Sequence, residues 1–459
     1  PDVGMGTTVP KVTGRKEARV AEINLQISDE DLMRISSERT LALSLKEMKA
    51  LRTYAEDLRV REERKKVDLG ENLTDGEVEA IAQTWSEHCK HKIFNARIDY
   101  HEPEGRVQRI DSLFNSYIKR ATEEIRRTMG EKDWCVSVFK DNAGVIRFNE
   151  DWNVVFKVET HNSPSALDPY GGALTGIVGV NRDPFGTGKG AKLIFNVDTF
   201  CFAPPDYSKP LPPRLLHPKR IYEGVREGVE HGGNKSGIPT VNGSIVFDDR
   251  YAGKPLVYCG TGGITPRMIL GEPSHKKQAK PGDRIVMTGG RIGKDGIHGA
   301  TFSSEELHEE SPTSAVQIGD PITQKRMTDF LLRARDLGLY HAITDNGAGG
   351  LSSSVGEMAQ DCNGCRMDLE RAPLKYSGLH PWEILLSEAQ ERMTLAVPPE
   401  KLDRFLGLAK RMDVEATALG EFTASGKFHV LYGGKTVAYL DMDFLHNGYP
   451  KMELLTRWQ

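Results

Sequence analysis

The stretch "NVVFKVETHN", residues 153–162, decides the fold of the region around it, because apolar and ionisable residues alternate along it. A period of two predicts a β-strand, in which successive side chains point to opposite faces. One face is expected to carry Val154, Phe156 and Val158, and the other Val155, Lys157, Glu159 and His161. An edge strand with one wet face would explain the ionisable residues equally well, so other segments must decide between the two hypotheses.

Two further segments place carboxylates next to Gly-rich backbone. The apolar run "GIVGVNRD" (176–183) predicts a second strand, which ends at Arg182 and Asp183. The stretch "HAITDNGAGGLSSS" (341–354) predicts a short strand, then Asp345, a glycine loop and a helix. Carboxylates delivered beside Lys and Arg predict oxygen ligands for magnesium and cationic clamps for phosphate.

The familiar nucleotide and zinc fingerprints are absent. "GTGKGAK" (186–192) is not a P-loop, because Lys189 is followed by glycine rather than by Ser or Thr. "TWSEHCKHKIFN" (84–95) places His88 and His91 three residues apart, whereas a zinc-protease helix needs histidines four apart. Spacing alone therefore predicts only a basic helix end at this second segment.

Composition bounds the class of protein. A chain of 459 residues is expected to form two or three domains. A net charge of -4 with dispersed Lys and Arg argues against a nucleic-acid partner, and the apolar runs are too short for a membrane helix. The six cysteines do not form a secreted disulfide pattern, and Cys362 and Cys365 are expected to be ordinary thiols near a turn. We therefore expect a cytoplasmic protein.

The first part of the chain predicts helices. Residues 1–22 are expected to form an irregular lead-in, and residues 28–67 carry Leu and Met at helical spacing among many charges. Thr74 and Glu77 have the spacing of a capping box, which predicts a helix running toward Trp85.

The rest of the chain predicts two mixed domains. Short β-rich runs and one long helix near 218–231 occupy the stretch from 135 to 270, and a second set of strands and helices begins at 281. The polar, Lys-rich residues 272–282 are expected to form a linker, and Ser354 with Glu357 a second capping box. The fold class is α+β, with a helical N-terminal segment (1–75) and two α/β domains (76–271 and 272–459).

Seven motifs in order resemble one enzyme family. They are "WSEHCKHKIF", "KVETHNSPSALDPYGGALTG", "NRDPFGTGKGAK", "GGRIGKDGIHGATF", "QIGDP", "TDNGAGGLSSS" and "SEAQERM". From about Thr74 to its C-terminus, the chain resembles the large, multidomain branch of phosphoribosylformylglycinamidine synthase, in the aminoimidazole ribonucleotide synthetase-like superfamily. The resemblance implies ATP- and Mg²⁺-dependent conversion of formylglycinamide ribonucleotide to its amidine, with ammonia from a glutaminase domain or subunit.

The resemblance also assigns roles to particular residues. It implies His161 and His88 as catalytic, His91 and Lys157 as ATP-binding, and Glu159, Asp183 and Asp345 as metal ligands. It implies substrate contacts at Thr160, Asn162, Ser163, Arg182, Gln317, Glu388, Ala389 and Gln390. Ser163, His91 and Ala389 depart from the histidine, tyrosine and serine that are usual in the family.

The family builds its site from two pairs of such domains, of which this sequence holds one. We therefore expect a fragment that lacks the C-terminal half of the synthase, forms a twofold homodimer and has little activity by itself. Two alternatives remain: a non-catalytic half-module that holds nucleotide, and an ATP-dependent enzyme more like aminoimidazole ribonucleotide synthetase.

Overall fold

The computed structural model describes residues 19–299, 301, 316–317 and 319–458. The predicted lead-in therefore lies outside the described residues as far as residue 18. Among the described residues, no helix combines the length and the apolar character that a membrane span requires.

The N-terminal segment is helical, as predicted. The elements up to residue 90, of which the last two extend past the predicted boundary at residue 75, are β1 (Glu22–Ile23), α1 (Asp29–Glu38), α2 (Leu45–Glu56), α3 (Leu58–Lys65), β2 (Leu73–Thr74), α4 (Asp75–Thr84) and α5 (Glu87–Lys90). The predicted capping box is confirmed: the Thr74 side chain accepts from the Glu77 N–H, and the Glu77 carboxylate accepts from the Thr74 N–H. This segment shares a hydrophobic core with the C-terminal domain, because Leu51, Ile81 and Trp85 belong to the same buried cluster as Phe428 and Leu440.

A small sheet and an exposed helix follow. The elements are β3 (Arg97–His101), β4 (Val107–Asp111), a π-helical turn (Phe114–Lys119) and α6 (Arg120–Met129). The last strand of the chain, β20 (Glu453–Arg457), pairs in parallel with β3. Residues near the end of the chain thus lie beside the start of the first mixed domain, and the predicted domain boundaries remain a prediction.

The first mixed domain is a six-stranded sheet with helices on one face. Its strands are β5 (Cys135–Ser137), β6 (Gly144–Arg147), β7 (Trp152–Thr160), β8 (Lys192–Phe202), β9 (Thr240–Phe247) and β10 (Leu256–Pro266), in the order β5-β6-β7-β10-β8-β9. Its helices are α7 (Asn162–Leu167), α8 (Pro169–Gly186) and α9 (Pro218–Ser236), of which α8 packs on β7 and β10 and on α9. A short hairpin, β11 (Met268–Ile269) and β12 (Glu272–Pro273), leads out of the domain.

The second mixed domain contains a seven-stranded sheet. Its strands are β13 (Arg284–Gly289), β14 (Ala342–Asp345), β15 (Cys365–Asp368), β16 (Arg392–Val397), β17 (Ala416–Phe422), β18 (Lys427–Tyr432) and β19 (Lys435–Asp441), in the order β14-β16-β13-β17-β15-β18-β19. Its described helices include α10 (Pro321–Asp336), α11 (Gly350–Ala359), α12 (Pro381–Leu386), α13 (Leu402–Arg411) and α14 (Met442–Asn447).

Strand β7 is central, so the edge-strand hypothesis for "NVVFKVETHN" is wrong. It pairs with β6 on one side and with β10 on the other. The predicted alternation is present, but the burial is the reverse of what the apolar pattern suggests. The face with Lys157 and Glu159 lies on the same side as the fully buried Val155, whereas Phe156 on the opposite face is 41% exposed.

Two local predictions were wrong. "GIVGVN" is not a strand but the middle of helix α8, so Asp183 reaches the site from a helix rather than from a strand end. Asp168 caps this helix and Pro169 occupies its first turn, which is a favourable helix start. Ser354 does not cap α11 either; it lies within that helix, which begins after Gly349.

Candidate functional site

A chain of polar contacts at His161 crosses from the first mixed domain to the second. His161 Nδ1 lies 2.5 Å from the Gly172 carbonyl oxygen, and its Nε2 lies 3.3 Å from Gln317 Oε1. Gln317 Nε2 donates to Glu388 Oε2 at 2.6 Å, and Glu388 Oε1 accepts from the Gly349 N–H at 3.1 Å. The orientation of the Gln317 amide is therefore fixed by a carboxylate that can only accept.

This geometry assigns the tautomer of His161. The Gly172 carbonyl can only accept, so Nδ1 carries the proton in the neutral ring and Nε2 presents a lone pair. In this tautomer the Nε2 contact with Gln317 Oε1 joins two acceptors, and it becomes a hydrogen bond only when Nε2 is protonated. Burial lowers the pKa of His161, although its bonds to Gly172 and Gln317 oppose the shift. The ring is thus neutral near pH 7, and a proton gained at Nε2 would find the Gln317 oxygen in place to accept a hydrogen bond from it.

Carboxylates from three elements meet beside Lys157. Lys157 Nζ forms an ion pair with Asp183 Oδ2 at 2.8 Å and donates to the Asn142 carbonyl at 3.1 Å. The Asn142 amide in turn donates to Asp345 Oδ1 at 2.9 Å. Burial raises the pKa of Asp183 well above its usual value, and the negative charges of Glu159 and Asp345 raise it further. Negative charge is therefore concentrated here, where a cation would relieve the repulsion.

The three carboxylates fit Mg²⁺ only together with oxygens from a ligand. Within the described ranges, no group of three or more His, Cys, Asp or Glu residues is arranged to hold a metal by itself. Mg²⁺ commonly binds through one or two carboxylates, water and substrate phosphates rather than in an all-protein cage. Glu159, Asp183 and Asp345 have the right chemistry for such a partial shell.

Arg182 joins these carboxylates to the segment 387–391. Its Nη1 donates to Gln390 Oε1, and its Nε lies 3.5 Å from Asp345 Oδ2. Gln390 is itself fixed, because its Nε2 donates to the Glu388 carbonyl at 2.9 Å. The Arg182 side chain is buried, and among the described residues its Nε has no hydrogen-bond partner. That donor is available to a bound ligand.

His88 and His91 lie at the predicted basic helix end, where α5 stops. His91 forms the C-cap in a left-handed conformation, with φ of 47°. Desolvation, together with the charges of His91 and Lys157, lowers the pKa of His88, and Asp345 acts in the opposite direction. His88 is thus within electrostatic reach of Lys157 and Asp345.

The other residues predicted to contact the substrate differ in their exposure and in their hydrogen bonding. Thr160 is exposed at the end of β7, while the Asn162 side chain accepts from the Val257 N–H at 2.8 Å. Ser163 and Ala389 are buried, and the Ser163 hydroxyl has no hydrogen-bond partner within the described ranges.

A cleft of about 1360 Å³ opens beside Lys157. Eight lysines and four carboxylates line it, an excess of positive charge that suits a polyphosphate. The predicted linker 272–282 forms one wall: Lys277 Nζ binds Asp141 Oδ1 at 2.6 Å and the Gly186 carbonyl at 2.7 Å. Glu357 also lines the cleft, and burial, together with the charge of Asp345, raises its pKa to about 7.

Sequence reasoning missed Asn142, Lys277 and Glu357. Asn142 lies in a turn without periodicity, and Lys277 lies in a segment whose composition is that of a linker. Of the three, only Glu357 could have been noticed in the sequence. It lies on the helix that follows Asp345 and the glycine loop, where a side chain can face the same cleft.

Family models match three parts of the chain in order. The linker domain of formylglycinamide ribonucleotide amidotransferase matches residues 32–92. The N-terminal and C-terminal domains of AIR synthase related proteins match residues 140–265 and 280–433.

Curated relatives and solved structures agree with these matches. The PurL subunit of phosphoribosylformylglycinamidine synthase from Thermoplasma volcanium is 36% identical over 91% of this chain and 50% of its own length. The corresponding subunit from Thermotoga maritima is 32% identical over 83% of this chain and 55% of its own length. The chain thus spans about half the length of the curated relatives that it matches.

Among solved structures, T. maritima PurL in complex with FGAR has a TM-score of 0.65 at 30% identity, covering 85% of this chain and 56% of its own. T. maritima PurL in complex with ATP has a TM-score of 0.60 at 28% identity, covering 85% of this chain and 55% of its own. The chain therefore belongs to the AIR synthase related superfamily, in the branch of the PurL formylglycinamide ribonucleotide amidotransferases.

Proposed function

We propose that this chain carries a substrate and nucleotide site for the ATP- and Mg²⁺-dependent amidation of formylglycinamide ribonucleotide, a step of de novo purine biosynthesis. The amide oxygen of the substrate attacks the γ-phosphorus of ATP, and ADP leaves. Ammonia then adds to the resulting iminophosphate carbon, and phosphate departs with its former amide oxygen. The observation that carries the proposal is the placement of His161, whose ring contacts Gly172 and Gln317, directly after the strand that carries Lys157, which is paired with Asp183.

His161 is proposed to take a proton from the incoming amine. Its Nε2 carries no proton in the assigned tautomer, and Gln317 Oε1 could accept a hydrogen bond from Nε2 once it is protonated. A positioned base of this kind typically contributes about 10²–10⁴-fold to the rate. His88 is proposed as the second catalytic histidine, close to the phosphates that Lys157 would neutralise.

The lysine-rich cleft is proposed to hold ATP, with His91 and Lys157 among its contacts. Glu159, Asp183 and Asp345 would hold Mg²⁺, which lowers the negative charge of the phosphates when bound. Lys157 and Arg182, the cations that now neutralise Asp183 and Asp345, would then be available to the phosphates and the substrate.

The substrate is proposed to lie where the two mixed domains meet. Arg182 and residues 160–163 would bind it from the first domain's side, and the segment from Glu388 to Gln390 from the second. The buried Ser163 hydroxyl, which has no hydrogen-bond partner among the described residues, supports this location because a ligand could satisfy it. Arg182 Nε is also buried without a hydrogen bond, and it is held there by its ion pair with Asp345.

We also propose that a glutaminase supplies the ammonia and that a second pair of synthase domains completes the enzyme. These partners are consistent with relatives about twice as long as this chain. A cytoplasmic location is proposed as well; the six cysteines are all free thiols.

The proposal is tested by phosphate release from ATP with Mg²⁺, formylglycinamide ribonucleotide and ammonium. We expect slow release that requires both the ribonucleotide and ammonium. A nucleotide-holding half-module would bind Mg-ADP without such release, and robust turnover would show that a second half is not required.

Replacing Asp345 with asparagine should weaken Mg-ADP binding roughly tenfold, because a charged oxygen ligand is lost while the Asn142 contact can persist. Calorimetric titration of the mutant protein measures the change. Asp249→Asn, at an exposed ion pair with Lys209, is the matched control and should bind normally. If the Asp345→Asn mutant and the wild-type protein bound Mg-ADP with equal affinity, Asp345 would not be a metal ligand.

The open face of the first sheet predicts self-association. Phe156 and Val246 lie on this face at 41% and 48% exposure, and the Phe156 ring lies 6.2 Å from that of Phe195. An apolar sheet face of this kind is expected to pair with a second copy of the chain. Light scattering should show a dimer that Phe156→Lys weakens, whereas a monodisperse wild-type monomer would refute the pairing.

A further inference from the structure

Helix α4 is buried on all sides although half of it is polar. All ten residues from Asp75 to Thr84 are buried, and the set includes the carboxylates of Asp75, Glu77 and Glu79. A helix surrounded by protein is normally apolar, and a buried carboxylate is costly unless it is paired. The partners of these carboxylates therefore indicate what the helix holds in place.

Glu79 binds two side chains that belong to different parts of the fold. Its Oε1 accepts from Arg39 Nη2 at 2.8 Å, and its Oε2 lies 2.8 Å from His298 Nε2. The ring of Trp382 stacks on that of His298, with centroids 6.0 Å apart, and the Arg39 guanidinium lies 5.7 Å from the centre of the same Trp382 ring. Arg39 follows α1, whereas His298 belongs to the Gly-rich segment 289–299 of the second mixed domain.

The segment 289–299 touches two of the proposed substrate-site residues. A Cβ atom at Gly296 would lie 2.4 Å from Gln317 Cγ and 3.0 Å from Glu388 Cβ, so the backbone there packs directly against both side chains. His298 itself has φ of 62°, which a residue with a Cβ adopts only when its surroundings enforce it. The contacts of His298 with Glu79 and Trp382 hold it in this backbone conformation.

The other half of this segment is held separately. Lys294 Nζ lies 2.8 Å from Glu383 Oε1, and the Lys294 N–H donates to the Tyr376 hydroxyl at 2.7 Å. Glu79 therefore holds only the end that includes His298, next to Gly296.

We infer that Glu79 and His298 are a positioning pair, through which helix α4 holds segment 289–299 against Gln317 and Glu388. The pair does not touch the proposed substrate; it fixes the residues that do. Because Gln317 also orients toward His161 Nε2, loosening this segment would disturb both substrate binding and the His161 contact. The consequence for the substrate rests on the proposed function, whereas the mechanical role of the pair does not.

Hydrogen exchange measured by mass spectrometry tests the mechanical role without any ligand. His298→Ala should make amides in segment 289–299 exchange roughly tenfold faster, because local opening becomes easier while the core stays folded. His429→Ala is the matched control: its ring contacts Thr436 and Tyr439, far from this segment in the second sheet. Unchanged exchange of segment 289–299 in His298→Ala would overturn the inference.

Calorimetry with formylglycinamide ribonucleotide tests the consequence for binding. We expect His298→Ala to weaken binding roughly tenfold, and His298→Gln, whose amide can still donate to Glu79, to restore most of the affinity. Normal binding by His298→Ala would overturn the link to the substrate site. If the wild-type protein bound no ribonucleotide, the proposed function would fail, while the exchange experiment would still decide the role of the pair.

Discussion

Replacing His161 with alanine is expected to lower ammonia-dependent turnover of an active assembly by roughly 10²–10⁴-fold, the usual contribution of a positioned base. Substrate affinity should change far less, because Arg182 and Gln390 keep their mutual contact without the imidazole. The fold should survive, since the ring occupies one end of the chain of polar contacts to Gln317 and Glu388. Steady-state kinetics with ammonium as the varied substrate, supported by calorimetry, separates turnover from binding.

His231→Ala is the matched control for this change. His231 lies in the same domain and contacts Tyr170 through its ring at 2.9 Å, outside the site. It should leave turnover unaltered. Near-normal turnover of His161→Ala would mean that this histidine is structural and that the base lies elsewhere.

Replacing Arg64 with methionine is expected to lower the free energy of unfolding by about 3–5 kcal/mol, the usual cost of removing one partner from a buried ion pair. Arg64 is fully buried and its Nη1 lies 2.5 Å from Glu77 Oε1. Its Nε and Nη2 also donate to the carbonyls of Gly70 and Asn72, at 3.1 and 2.6 Å. Without the guanidinium, the Glu77 carboxylate would remain buried and only partly satisfied.

The loss of stability in Arg64→Met should extend beyond the N-terminal segment. Glu77 Oε1 also accepts from the Tyr439 N–H at 2.8 Å, which ties α4 to β19 of the second mixed domain. Urea unfolding monitored by circular dichroism measures the effect. Arg120→Met, in an exposed pair with Glu124, should leave the free energy of unfolding nearly unchanged. A similarly small cost for Arg64→Met would show that the buried network does not stabilise the fold.

The alternation at residues 153–162 predicted which side chains share a face, because the two-residue period follows from strand geometry alone. It could not predict which face would be covered. The ionisable face lies under helix α8, and the apolar face with Phe156 is open. Whether a strand face is buried depends on the elements that pack on it, and the sequence of the strand does not show which elements these are.

The misassigned run "GIVGVN" shows a second limit. Ile and Val favour strands, yet these residues lie in α8, where glycines permit close packing against other elements. A Cβ at Gly172 would lie 2.5 Å from the Pro164 carbonyl carbon, and one at Gly176 3.2 Å from His161 Cβ. Glycines that lower helix propensity are therefore present because they let α8 approach His161.

Residues of the candidate site could be proposed from the sequence where several of them fall within one motif. They could not be proposed where they meet only through tertiary contacts. The stretch with Lys157, Glu159 and His161 could be proposed as part of a site only through the family resemblance, because its residue types alone fitted an edge strand equally well. The contact between Glu79 and His298 joins residues 219 positions apart, and no local pattern marks either of them as a partner.

The most direct test of the account is calorimetric titration of formylglycinamide ribonucleotide into the purified chain in the presence of Mg-ADP. The account predicts one site per chain, with affinity reduced at least roughly tenfold in Arg182→Met, which removes the charge that contacts Gln390 and Asp345. Circular dichroism would establish that the mutant protein is folded. Absence of ribonucleotide binding by the folded wild-type chain, or equal affinity in Arg182→Met, would contradict the proposed site.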